Sequence, residues 1–266
     1  MSTLGLILLG LAAGTGAGLL AGLIGIGGGI VVVPVIYYGL AGAGATTDQA
    51  AHIAVATSLA AIMPAAVVSS LAHWRAGNTD FAFLREWGPG IVIGVIAAQF
   101  AAPHLHGNVV TGLFALFRLG VSIRFAAPNR FRPIRGEPPN GGFCHAAGVT
   151  IGLVSGFAGV GGGILTNIFM TLCGLPMHKS IGRAAATGIV VSIPATIAAA
   201  LASKSEHATV IGSIDVAIWL CVAPAQAAAA WCGARLASHI PAVSLSRLMA
   251  VTLGVTGATM LYGSIV

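Results

Sequence analysis

Two glycine strings are the places where this backbone could itself do chemistry. The first reads Gly22-Leu-Ile-Gly25-Ile-Gly27-Gly28-Gly29 and the second Gly156-Phe-Ala-Gly159-Val-Gly161-Gly162-Gly163. Three glycines in succession break a helix, and each string interrupts a long apolar run. Unwound glycine backbone offers N–H groups without side-chain obstruction, and a helix starting just beyond adds its positive end. Gly27, Gly28, Gly29, Gly161, Gly162 and Gly163 are therefore candidate donors to a small anion stripped of its water. Close helix packing also favours glycine, but three in a row exceed what packing needs.

Several side chains could join them. Thr57, Ser58 and Thr187 sit in the helix that follows each string and could donate hydroxyls, in competition with a back-bond to their own helix. Asn167, one turn past the second string, could donate an amide N–H to a solute or bridge two helices. Arg183 and Lys179 border the second motif and could attract an anion or anchor the topology. Arg118 lies inside an apolar span, where a charge is a functional candidate unless it snorkels to the interface. Asp48 and His52, four apart, could meet on one helical face and carry a proton, although Asp48 also suits a helix start. His104 and His106 share a turn with no further ligands, so neither a metal nor another cofactor is expected.

The surroundings are a membrane protein's. Of 266 residues, 57% are hydrophobic and 7% charged, with mean hydropathy +0.96; a soluble domain carries about 25% charged residues. The apolar runs are continuous, which fits helices better than a barrel. The net charge of +6 is spread over short loops and a central segment, a pattern of membrane orientation and not a nucleic-acid footprint. Cys144, Cys173, Cys221 and Cys232 form no CxxC and read as small buried hydrophobes. No basic residue precedes the first apolar run, so no cleavable signal is expected. The six acids form no intramembrane pair, and neither HExxH nor a Gly-Lys-Ser/Thr nucleotide motif is present. The fingerprint begun by Gly25-x-Gly27 would need a glycine where Ile30 stands. An enzyme and an ATP-driven pump are thus disfavoured, whereas a passive anion channel is not excluded.

The elements that must position these residues fall into two sets. The first string splits its run into arms Leu4–Ile24 and Ile30–Ala45, and further spans are expected near Ile53–Leu71, Trp87–Ala102 and Val109–Ile123. A basic, Pro-rich segment follows. The second string splits Phe143–Pro176, leaving an arm, Ile164–Leu175, too short to cross a bilayer about 30 Å thick. Helices near Ala184–Ala202, Ile214–Cys232 and Val243–Tyr262 complete the chain. Thr57 and Pro64 are spaced as Thr187 and Pro194 are, so the repeat extends beyond the glycines. The expected organisation is an all-α polytopic bundle of two homologous, inverted repeats, 1–125 and 143–266, joined by a cytoplasmic linker, 126–142. If each broken element returns to its starting side, Arg75, Arg85, Arg124, Arg130, Arg132, Arg135, Lys179, Arg183, Arg235 and Arg247 share one face and only Lys204 lies opposite. The positive-inside rule favours that arrangement, with both termini outside. Repeats carrying discontinuous helices point to a secondary transporter with a central site.

At Gly25-Ile26-Gly27-Gly28-Gly29 followed by Pro34, and at Gly159-Val160-Gly161-Gly162-Gly163, the sequence resembles the TauE/SafE family, also called the sulfite exporter or TSUP family. The resemblance covers nearly the whole chain. It departs at Asn167, where the second repeat would carry proline, and at Thr187-Gly188, where Thr-Ser is familiar. The resemblance implies movement of small anions, often sulfite, sulfonates or other organosulfur acids, across a bacterial inner membrane. The expected partners are the solute and the bilayer; a homo-oligomer is compatible with the sequence.

Overall fold

The computed structural model describes residues 3–104, 107–126, 142–201 and 210–265. Ten α-helices account for nearly all of them: α1 Thr3–Ile24, α2 Gly29–Gly42, α3 Thr47–Arg75, α4 Phe83–Ala101, α5 Gly107–Ala126, α6 Gly142–Ala158, α7 Gly163–Leu172, α8 Met177–Leu201, α9 Val216–Ala237 and α10 Ala242–Ile265. A 3-10 turn, Ala102–His104, follows α4. Two-residue strands β1 Val210–Ile211 and β2 Ile214–Asp215 pair antiparallel before α9. This is an all-α polytopic membrane protein. Among the described residues, Thr47–Arg75, Met177–Leu201, Val216–Ala237 and Ala242–Thr259 are long and apolar enough to cross a bilayer.

Both glycine strings break their runs where expected. α2 has 14 residues and α7 only 10; at 1.5 Å per residue they reach about 21 and 15 Å, short of a bilayer core. Other boundaries differ from the sequence reading. Asp48, Gln49 and His52 are not an interruption ahead of a helix at Ile53. They form the first turns of α3, because Thr46 caps it: its hydroxyl accepts from Gln49 N and the Gln49 side chain accepts from Thr46 N, a capping box. Lys179 and Arg183 likewise lie inside α8, which starts at Met177 and not at Ala184. α9 begins at Val216, since Asp215 Oδ1 accepts from Ile218 N (3.0 Å) and caps it.

The helices cross between the two halves of the chain. Gly14, Gly18 and Gly22 of α1 press successively on the backbone of Val222, Gln226 and Ala230 in α9, so α1 and α9 run parallel. Gly148, Gly152 and Gly156 of α6 meet Trp87, Ile91 and Ala98 of α4 in the same sense. α3 and α8 lie antiparallel: Gly188 faces Ala66, whereas Gly182 at the start of α8 faces Asn78 beyond the end of α3. Each four-residue glycine ladder lets backbones approach where lipid supplies no hydrophobic drive, so contact area must. α5 packs on α10, with Ser122 Oγ donating to Ala250 O (2.8 Å).

These contacts sort the charges by end. The start of α8 meets the α3–α4 connection at Gly182–Asn78 and the α9–α10 connection through His178 Nε2 and Ile240 O (3.2 Å). Arg75, Arg85, Lys179, Arg183, Arg235 and Arg247 therefore share one end of the bundle. His52, Gln99 and β1–β2 mark the other. Arg130, Arg132, Arg135, Lys204 and His106, with nearly all of the linker, lie outside the described residues, as do the side chains of Arg118 and Arg124.

Candidate functional site

The two glycine strings meet at the centre of the bundle. A Cβ placed on Gly27 would lie 3.2 Å from both N and Cα of Gly161. One placed on Gly29 would fall on Gly159 O, and one on Gly163 on Gly25 O. The contact is reciprocal: 25 opposes 163, 27 opposes 161 and 29 opposes 159. Every residue of Ile24–Ile30 and of Ala158–Ile164 is buried. The strings thus form one joint, with backbone against backbone.

Each short helix starts from this joint on a left-handed glycine. Gly28 (φ 77°, ψ −13°) is the N-cap of α2 and Gly162 (φ 73°, ψ −13°) that of α7. An L-residue would pay for that conformation, which explains the middle glycine of each triplet. No side chain caps either helix. In α7 the first bond of the helical ladder runs from Thr166 N to Gly162 O (3.1 Å). Among the described residues nothing takes up the N–H groups of Gly163, Ile164 and Leu165. The start of α7 is therefore a buried, positively polarised terminus with unused donors.

The polar side chains named from the sequence surround the joint and hold neighbours. Ser58 Oγ donates to Gly159 O (3.2 Å). Thr57 Oγ1 accepts from Asp215 N (3.0 Å), tying α3 to the strand pair. Thr187 Oγ1 accepts from Thr166 Oγ1 (3.2 Å) and back-bonds to Arg183 O (3.0 Å). Asn167 Oδ1 accepts from Ser180 Oγ (2.8 Å), while its Nδ2 reaches Ile24 O at the end of α1 (3.4 Å). Arg183 stands apart from the joint: its guanidinium lies 5.3 Å from the Phe83 ring centroid, and one nitrogen is 3.7 Å from Met170 Sδ.

Three residues absent from that set also touch the strings. Gln226 of α9 is fully buried and donates through Nε2 to Gly27 O (2.9 Å). His73 Nε2 pairs with Gly22 O (2.9 Å). Ser155 Oγ lies 3.4 Å from the position a Cβ on Gly162 would take. Their sequence signal is thin, since each is a single polar residue in an apolar stretch, and only the fold brings α9 to the first string.

A cavity of about 50 Å³ opens at the end away from the basic residues, with Ala51, His52, Val55, Gln99, Phe157 and Ser213 in its lining. Val55 touches Gly159, and Gln99 Nε2 reaches Gly156 O (3.4 Å). The cavity thus approaches the joint from the side of the second string. His52 stands in its wall, with Nδ1 2.7 Å from Asp48 O and Nε2 3.1 Å from Ala102 O. A carbonyl only accepts, so both contacts are hydrogen bonds at once only when both ring nitrogens carry protons.

Buried half-helices that start from a shared joint in a polytopic bundle are the architecture of a membrane transporter. Comparison with known proteins agrees. The family model described as Sulfite exporter TauE/SafE matches residues 10–260, and the chain belongs to that family. It is 29% identical over 187 residues to a probable membrane transporter protein of Haemophilus influenzae, covering 70% of this chain and 71% of the relative. It is 24% identical over 256 residues to one of Methanocaldococcus jannaschii, covering 92% and 91%. The Bacillus subtilis probable membrane transporter protein YunE is 29% identical over 187 residues, covering 62% and 66%. No solved structure matches the chain. These relatives point to a transporter rather than an enzyme.

Proposed function

We propose that the protein is a secondary transporter of small anions, of the sulfite, sulfonate or other organosulfur class, in a bacterial inner membrane. The observation that carries this reading is the pair of buried helix starts at Gly28–Gly29 and Gly162–Gly163, neither capped by a side chain, which direct positive ends into the protein centre. Such termini replace part of an anion's hydration where no full charge is buried. Two repeats, 1–125 and 143–266, would rock about the glycine joint and expose the site to either side in turn. In the present arrangement Gly27 and Gly161 are in contact, which favours gated passage over a standing pore. With both ring nitrogens protonated, His52 would donate to Asp48 O and Ala102 O at once, and we take the exchange of that second proton as the route for proton coupling.

Flux into proteoliposomes tests this reading, with a panel of sulfite, sulfoacetate, taurine, thiosulfate and simple carboxylates, with and without a pH gradient. The expected result is saturable flux of a sulfur anion, lost when Gly28 or Gly162 is replaced by a bulky residue. No flux of any of these anions by folded protein refutes it.

A further inference from the structure

We infer that Ser155 and Gln226 are the side chains that select the transported solute: Ser155 donates to its anionic group at the start of α7, and Gln226 accepts from a hydrogen-bond donor that the same solute carries. The inference rests on the anion-transport reading and deepens it.

Seven buried side-chain atoms among the described residues have no hydrogen-bond partner, and two of them belong to the residues that adjoin Gly28 and Gly162. Ser155 is 1% exposed and Gln226 fully buried, yet Ser155 Oγ and Gln226 Oε1 have no hydrogen-bond partner. A buried polar atom left unpaired is destabilising, so an unpaired atom at a functional centre calls for a ligand. Both lie at the joint. Ser155 Oγ is 3.4 Å from where a Cβ would sit on Gly162, the N-cap residue of α7. Gln226 Nε2 is 2.5 Å from where a Cβ on Gly28 would sit, and its bond to Gly27 O fixes the amide so that Oε1 is the free end.

Their chemistry is opposite. A hydroxyl beside the start of a helix is a donor set and suits an oxyanion. An amide oxygen accepts only, and it would repel that oxyanion. The repeats are unequal here, since Ala21 stands in the first string's register where Ser155 stands in the second. The site is therefore polar in a directional sense, with anion at α7 and donor at Gln226. A sulfonate bearing an ammonium or hydroxyl group matches both ends, whereas an alkanesulfonate of the same length leaves Gln226 Oε1 unpaired. Sites built around a hydrogen bond discriminate strongly against analogues that lack it.

The test is competition and flux in proteoliposomes with three sulfonates of similar length: 2-aminoethanesulfonate, 2-hydroxyethanesulfonate and propanesulfonate. The wild type is expected to prefer the first two by about tenfold or more over propanesulfonate. In Gln226→Met that preference collapses. In Ser155→Ala the KM rises about tenfold for all three alike, while the melting temperature stays level or rises, because the substitution removes an unpaired hydroxyl and no existing bond. A structural serine would show the reverse, a lower melting temperature with unchanged KM. Transport of none of the three by the wild type overturns the inference, and the anion reading falls only if the wider panel fails as well. Transport with wild-type KM in Ser155→Ala, or with wild-type preference in a folded Gln226→Met, overturns the inference alone.

Discussion

Replacing Gly163 by alanine tests the glycine joint without touching backbone strain, because Gly163, unlike Gly162, has no positive φ. The new Cβ would fall on Gly25 O and lie 3.2 Å from Ile26 Cα. Both obstacles are backbone and neither can rotate away, so α7 and the first string must separate. Over-packing costs roughly 1–3 kcal/mol where side chains can yield; with backbone opposed, the upper end applies, about 3 kcal/mol. For a chain of this size that corresponds to a melting temperature lower by on the order of 5–10 °C. Gly16→Ala is the control. Gly16 lies in α1 with nothing within 4 Å of its Cβ position, and alanine there should be neutral or stabilising by up to about 1 kcal/mol. Thermal unfolding of the two purified variants in the same detergent measures the stability difference, and flux of the transported anion is expected to fall at least tenfold in Gly163→Ala alone. If Gly163→Ala unfolds and transports as the wild type does, the two strings are not in contact and the shared-joint reasoning fails.

Further outcomes follow from the hydrogen bonds around the joint. Ser58→Ala leaves the buried Gly159 carbonyl without its hydroxyl donor and should destabilise by about 1–3 kcal/mol, read by thermal unfolding. Asn167→Leu leaves Ser180 Oγ only the backbone carbonyl of residue 167 and removes the amide bond to Ile24 O, with an expected cost of about 1 kcal/mol by thermal unfolding, and should also slow flux by loosening the end of α1. His52→Gln keeps a polar side chain in the cavity wall but cannot take up a proton; uphill flux driven by a pH gradient should be lost while downhill exchange persists. Gradient-driven flux at wild-type rate in that variant would remove His52 from any coupling role.

The sequence was legible where local chemistry decides. Three successive glycines forecast both helix breaks to within a residue, because left-handed backbone at Gly28 and Gly162 is a local demand. The ends of α2 and α7 come three residues sooner than Ala45 and Leu175, at Gly42 and Leu172, each just ahead of a left-handed glycine, Gly44 and Gly174. The start of α3 was missed for a local reason too: Asp48, Gln49 and His52 look like a polar interruption until Thr46 and Gln49 are read as a capping box. What could not be read was which polar groups are already spent. Thr57 serves Asp215 N and Thr187 serves Thr166 and Arg183, pairings set by the packing of helices distant in sequence. Gln226 was invisible because nothing in the Ala-rich α9 says that it will lie against Gly27.

The departures from perfect repetition carry more information than the repetition does. Ser58 bonds Gly159 O, yet the matching residue of the second half is Gly188, so that position gives no hydroxyl to the matching carbonyl, Gly25 O, although Gly29 and Gly163 pack on the two carbonyls alike. Ser155 and Ala21 differ in the opposite sense, giving a hydroxyl to the second string alone. A joint built from equal halves would present the same donors whichever way it opened. If the repeats rock as proposed, Ser155 and Gln226 hold the two ends of one solute in unlike surroundings, and the two faces of the membrane meet it with unequal affinity. That inequality has a physical source in four named positions; it sets the solute concentration at which each face half-saturates, while the direction of net transport stays with the gradients.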